Sequence, residues 1–169
     1  MEIRKAIIPA IIIIVILFFL FRKKAEENDE AKRQLAAKIK GQPWYKTIIQ
    51  EANNYNLPPK RVASIVAVES GGNVFSRGAA GEYGLMQIMP IAHQEVKDHW
   101  KRLVTFSWNR NDETLLNPEY NILVGTAYLA ILKERFSKDL DKATEAYNDG
   151  GGYGTDYLDK VKAYEPYFS

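Results

Sequence analysis

Glu69 stands where an apolar residue belongs. The stretch Arg61-Val62-Ala63-Ser64-Ile65-Val66-Ala67-Val68-Glu69-Ser70 reads as a helix, and Val62, Ile65, Val66 and Glu69 fall at i, i+3, i+4 and i+7, the stripe that faces a core. Desolvation disfavours a carboxylate and raises its pKa. A carboxylic acid that stays protonated near neutral pH can hand a proton to a leaving oxygen. The stripe alone is equally compatible with a glutamate that snorkels to water at the helix end or pairs with an arginine.

Three further clusters carry polar groups in apolar settings. Gln87 lies within Gly84-Leu85-Met86-Gln87-Ile88-Met89-Pro90. A buried amide there needs hydrogen-bond partners, which a sugar hydroxyl or N-acetyl group would supply, although a Met-rich core turn has the same composition. Ala146-Tyr147-Asn148 puts an aromatic ring and an amide at a helix end beside Gly150-Gly151-Gly152. In Asn117-Pro118-Glu119-Tyr120-Asn121-Ile122, Asn117 suits an N-cap with proline at N1 and Glu119 complementing the helix dipole.

Together these motifs resemble the soluble lytic transglycosylase family, whose domain is goose-lysozyme-like. Glu69-Ser70 comes first, then Gly84-Leu85-Met86-Gln87, then Ala146-Tyr147-Asn148 with glycines after it. The segment from Asn117 to Ile122, with Gly125 and Tyr128-Leu129, resembles the family's long buried helix. Tyr157-Leu158-Asp159-Lys160-Val161 resembles its closing segment, so the likeness covers about residues 43–168. It implies cleavage of the β-1,4 bond between N-acetylmuramic acid and N-acetylglucosamine in peptidoglycan, with the muramyl 6-hydroxyl closing onto C1 to leave a 1,6-anhydro end. By this analogy Glu69 is acid and then base. Gln87 and Tyr147 hold the sugar, Tyr147 with its ring and a hydroxyl near the acid, Met86 floors the groove, and Asn148 positions the chain or Glu69. The resemblance implies no cofactor and no metal, and its partner is the glycan strand. A hydrolytic muramidase, or a protein that binds or assembles on glycan without cutting it, would keep the same fold.

The sequence departs from the family pattern in places. A serine is common nine residues after the glutamate, and here that position is Gly78, with Ser76 two before it. An aromatic is more usual where this chain has Gly71-Gly72-Asn73, and Asp149 replaces a small residue in the Ala-Tyr-Asn turn. Lys97 to Glu113, with Trp100 and Trp108, has no recognisable motif.

The elements that must position these residues are helical. Trp44 to Tyr55 reads as a helix with Ile48, Ile49 and Ala52 inward, and Pro58-Pro59 opens the Glu69 helix. Asn117 opens a helix that buries Leu123, Val124, Ala127, Tyr128, Ile131 and Leu132. Leu140 to Asn148 and Thr155 to Ala163 complete the set, and Leu103-Val104-Thr105-Phe106 is the one short strand candidate. The expected class is mainly α: a lysozyme-like globular domain with an N-terminal transmembrane helix.

Composition bounds the rest. A chain of 169 residues holds one domain of ordinary size. With no cysteine there is neither a disulfide framework nor thiolate chemistry, and the two histidines, His93 and His99, make a poor metal pair. Residues 1–42 carry nine Lys/Arg against five Asp/Glu, and residues 43–169 carry fourteen against sixteen, so the folded part lacks the charge of a nucleic-acid binder.

The first 42 residues divide into a short flank (1–5), a transmembrane anchor (6–21) and a charged linker (22–42), leaving the catalytic domain at 43–169. Residues 6–21 are uninterruptedly apolar between Arg4-Lys5 and Arg22-Lys23-Lys24. Sixteen residues rise roughly 24 Å, short of a ~30 Å hydrocarbon core unless the flanking cations snorkel. A cleaved signal peptide would want small residues where Phe21-Arg22-Lys23-Lys24 stand. Positive-inside counting tilts towards a cytoplasmic C-terminal side, whereas a wall-cutting domain belongs outside the cytoplasmic membrane. The expectation is a single-pass membrane protein with an extracytoplasmic domain, or a protein of a phage virion membrane. The host device stays open: a bacterium remodelling its wall, a secretion or conjugation apparatus, or a phage, with secretion or virion assembly partners accordingly.

Overall fold

The computed structural model describes residues 3–100, 113–149 and 155–169, and within helices it gives no side-chain detail for residues 3–15, Asp149 and Thr155. The strand candidate 103–106, Trp108 and the glycine run 150–152 lie outside the described residues. Among the described residues seven α-helices follow in order: α1 (Ile3–Lys40), α2 (Tyr45–Asn54), α3 (Pro59–Ser70), α4 (Pro90–His99), α5 (Pro118–Arg135), α6 (Leu140–Asp149) and α7 (Thr155–Lys162). Short 3-10 turns occupy Glu113–Leu116 and Glu165–Phe168. Among the described residues the only β pairing is a pair of isolated bridges, Arg77 with Tyr83 and Tyr83 with Ile88. The class is mainly α, as the sequence implied.

The chain forms two units, Met1–Gln34 and Leu35–Ser169. The first holds most of α1. Its charged half is supported by i,i+4 pairs, Arg33 with Asp29 at 3.2 Å and Gln34 with Glu30 at 2.9 Å, each worth a few tenths of a kcal/mol. Ile16 to Phe21 stand exposed on this helix. Among the described residues no helix is long and apolar enough to cross a membrane.

The second unit begins earlier than the expected boundary at 43. Ala36 and Ile39, which fall within the expected charged linker, are 1% and 0% exposed. Two residues one turn apart suffice once they dock. Ile39 lies against Gly72, where an added Cβ would come 3.0 Å from Ile39 Cγ1 and 3.9 Å from Trp44. The end of α1 therefore supports the turn directly after Glu69.

Helix α5 is the centre of this unit and packs on α2, α4 and α6. Asn117 caps it through Tyr120 N. Nearly every residue from Asn121 to Leu132 is buried, so α5 is a core helix rather than one with a single apolar stripe, and Leu123 is the exception, half-buried. In α2, Ile48 and Ala52 are buried as expected, but Ile49 is 41% exposed and Glu51 turns inward instead. Helix α4 had no counterpart in the expected set; its buried residues are Ala92, His93 and Val96. His93 Nε2 meets Tyr120 Oη at 2.7 Å.

Replacing Ile39 by alanine is expected to cost about 2–5 kcal/mol, the range for a fully buried isoleucine. Urea denaturation of the full chain reads this directly, and a change within experimental error would show that α1 does not belong to the core.

Candidate active site

Helix α3 carries Glu69 in its last turn. Pro59 sits in its first turn, residues Arg61 to Ala67 are all buried, and Gly71 closes it in the left-handed conformation at φ 60° with its N–H on Ala67 O. Its start is pinned by Arg61, 6% exposed, which donates to Glu165 Oε1, Asp141 Oδ1 and Thr144 Oγ1. That one guanidinium joins α3, α6 and the C-terminal turn.

Glu69 itself is half-buried. Burial pushes its carboxyl up from an ordinary value of 4.5 to about 7, against a lowering hydrogen bond from Tyr157, and the Glu82 charge adds to the rise. The Tyr157 hydroxyl donates to Glu69 Oε1 at 2.5 Å. A group in this state populates both protonation forms near neutrality, which is what a residue acting in turn as acid and base requires.

The segment carrying Gln87 is held by α5. The Asn121 side chain donates to Tyr83 O and Leu115 O and accepts from Met86 N, all at 2.8 Å. Gly84 turns at φ 74°, and a Cβ there would collide with Asn121 Nδ2 and Leu115 O at 2.4 Å. Gly125 is bare for a complementary reason: a Cβ would come 2.5 Å from Met86 Sδ. Gln87 follows at φ 46°, a conformation uncommon for residues other than glycine, and its side-chain amide donates to Gly84 O at 2.8 Å.

Three of the expected site residues, Gln87, Tyr147 and Asn148, line one pocket together with Met89, Ile91 and Tyr128. Gln87 is half-buried and Asn148 exposed. The Tyr128 and Tyr147 rings lie 5.6 Å apart. Two expectations need correction. Met86 is 0% exposed, so its side chain is core packing against Gly125 rather than a groove floor. The Tyr147 hydroxyl donates to Met86 O at 2.9 Å and is spent on that bond, while Tyr157 supplies the hydroxyl at the acid. Burial, and then the Glu69 charge, hold the Tyr147 phenol well above its ordinary pKa, so it remains a neutral donor.

The sequence reading missed Tyr157 as a site residue, and took Asn121 for part of a cap. Tyr157 is 88 positions from Glu69, and no local spacing connects them. A buried asparagine four residues into a core helix was the available signal for Asn121.

The family model described as the transglycosylase SLT domain matches residues 46–167. The chain belongs to that family. Among curated relatives it is 36% identical over 99 residues to the endo-type membrane-bound lytic murein transglycosylase A of Cronobacter sakazakii, covering 58% of this chain and 47% of that one. It is 32% identical over 121 residues to a transglycosylase of Enterobacteria phage PRD1, covering 72% of this chain and 40% of the phage protein. The chain thus spans about half the length, or less, of the curated relatives it matches. The 70 kDa soluble lytic transglycosylase of Escherichia coli shares the fold, with a TM-score of 0.65 at 23% identity over 73% of this chain and 23% of that one. The lysozyme-like architecture is therefore shared across distant sequences.

The raised carboxyl leaves a signature in stability. Glu69 holds its proton up to about 7 in the folded chain and releases it near 4.5 when unfolded, so its protonation stabilises the fold fully below 4.5 and this contribution is lost as pH rises through 7. Glutamine at 69 has no such dependence. The stability of Glu69→Gln minus wild type should rise by roughly 3 kcal/mol between about pH 4 and pH 8. A difference that stays flat in urea titrations across that range would mean an ordinary carboxylate.

Proposed function

We propose that this chain is a peptidoglycan lytic transglycosylase cleaving the β-1,4 bond between N-acetylmuramic acid and N-acetylglucosamine. The observation that carries the reading is Glu69: a half-buried carboxyl raised to about 7, in the last turn of a helix and near enough to Tyr147 for its charge to act on that phenol, in a chain of the SLT family. The relatives' names, lytic murein transglycosylases and a phage transglycosylase, agree with it.

In this reading the neutral Glu69 carboxyl protonates the glycosidic oxygen as the C1–O bond breaks. The substrate's acetamido group supports the cationic centre. The resulting Glu69 carboxylate then takes the proton from the muramyl 6-hydroxyl as that oxygen bonds to C1, leaving a 1,6-anhydro ring and restoring the acid. One carboxyl serves both steps, unlike the paired carboxylates of most glycosidases. The Tyr157 hydrogen bond favours the carboxylate form and so eases the first transfer. Gln87, Tyr147 and Asn148 present the glycan at the pocket they share.

The same reading puts residues 6–21 in the cytoplasmic membrane, or in the membrane of a virion, with the catalytic unit on the side where peptidoglycan lies. Its support is the apolar run and the membrane-bound relatives. The Arg22-Lys23-Lys24 cluster opposes this orientation by one basic residue, a weaker constraint than access to substrate.

Incubation of purified peptidoglycan with the full chain should release muropeptides ending in anhydromuramic acid, and Glu69→Gln should lower turnover on the order of 10²–10⁴-fold or more with the fold intact. Fragments heavier by one water in mass spectrometry would make the enzyme a hydrolytic muramidase. Turnover by the mutant within a few-fold of wild type would remove Glu69 from its role.

A further inference from the structure

Gly78 is glycine without a backbone reason. Its φ lies outside the left-handed region, unlike that of Gly81 or Gly84 in the same loop. The reason is a neighbour. A Cβ on Gly78 would lie 2.1 Å from Glu82 Oε2, 2.6 Å from Glu82 Cδ and 3.0 Å from Glu82 Cβ. The Glu82 carboxylate occupies the space that a side chain at 78 would fill.

It is held there by its own loop. Gly78 N donates to Glu82 O at 2.9 Å, and Ala80 N donates to Glu82 Oε2 at 2.9 Å. The loop is tied to the Gln87 segment through Gly84 N on Ser76 O at 2.8 Å. Arg77, the nearest cation in sequence, pairs with Glu113 at 3.0 Å, and among the described residues no cation pairs with Glu82. Glu82 is half-buried, and its charge reaches Glu69 strongly enough to affect it. A half-buried carboxylate has acceptor sites for several donors, and here one oxygen accepts a single backbone N–H.

Glycan strands are rich in O–H and amide N–H donors. Resting on the reading of the protein as a glycan-cleaving enzyme, we propose that Glu82 is a substrate-contacting residue whose carboxylate, seated over the bare Cα of Gly78, accepts a hydrogen bond from a hydroxyl or acetamido N–H of the glycan strand. Glycine at 78 is then a requirement of Glu82, and the two positions form one unit of the substrate groove.

Binding measurements test this separately from catalysis. Peptide-free glycan strands are titrated into the full chain carrying Glu69→Gln, which removes turnover. Adding Glu82→Ala should weaken Kd by about 10- to 100-fold, the range for losing a hydrogen bond to a charged group, and Glu82→Gln, which keeps an acceptor oxygen, should lose less. Gly78→Ala should weaken binding comparably, because its methyl displaces the carboxylate. In the Glu82→Ala background Gly78→Ala should add almost nothing. Thermal melts of each variant confirm folding. Binding by the Glu82→Ala variant within twofold of its parent, additive effects of the two changes, or a parent that binds no glycan would overturn the inference. A wild-type chain that releases no fragments while this cycle behaves as described would overturn the catalytic reading alone.

Discussion

The structure turns on the partial desolvation of one carboxyl. Glu69 lies in the last turn of a helix whose residues Arg61 to Ala67 are all buried, so its side chain is carried to the edge of the core without entering it. Full exposure would leave an ordinary carboxylate with no proton to give at neutral pH. Full burial would hold it permanently protonated and unable to recover a proton. The observed state lies between, because burial raises the group while one tyrosine hydroxyl restrains it.

Holding that balance requires rigidity on every side of the acid, and the molecule obtains it from close approach more than from many polar bonds. Gly72, Gly84 and Gly125 are bare where Ile39, Asn121 and Met86 press against them. A glycine at such a contact trades backbone entropy for an atom-to-atom fit that a methyl group would break. Two of the polar fixings, Arg61 at the start of α3 and Asn121 beneath the Gln87 turn, are each nearly or wholly buried and multiply bonded. Removing one partner from such a group leaves an uncompensated polar atom, which makes these positions sensitive although they touch no substrate in the proposed reading.

How far this was legible in the sequence follows from the range of each interaction. Local signals carried well: the aliphatic run before Glu69, the double proline ahead of it and the Asn117 cap each depend on neighbours within a few residues, and the corresponding helices form where they predict. The order and spacing of the motifs carried the family and brought Gln87, Tyr147 and Asn148 to one pocket. Interactions between distant segments did not carry. Nothing near Tyr157 announces Glu69, nothing near Met86 announces the notch at Gly125, and the periodicity of α2 could not choose between Ile49 and Glu51 as the inward residue. Helix α4 escaped because its inward face includes a histidine whose place in the core depends on residues distant in sequence, Tyr120 among them. The end of α1 escaped because two apolar residues do not make a face until another segment covers them.

The proposed single-carboxyl mechanism asks Glu69 to be acid and base within one turnover, and this makes its proton affinity the quantity on which the account stands. That affinity is measurable without substrate, product or activity. The full chain is labelled with ¹³C at glutamate Cδ, the Glu69 resonance is identified by its loss in the Glu69→Gln variant, and its chemical shift is followed through pH. The account predicts a midpoint of about 7. A midpoint near the ordinary 4.5 would contradict it, because a carboxyl already ionised at neutral pH cannot deliver the first proton.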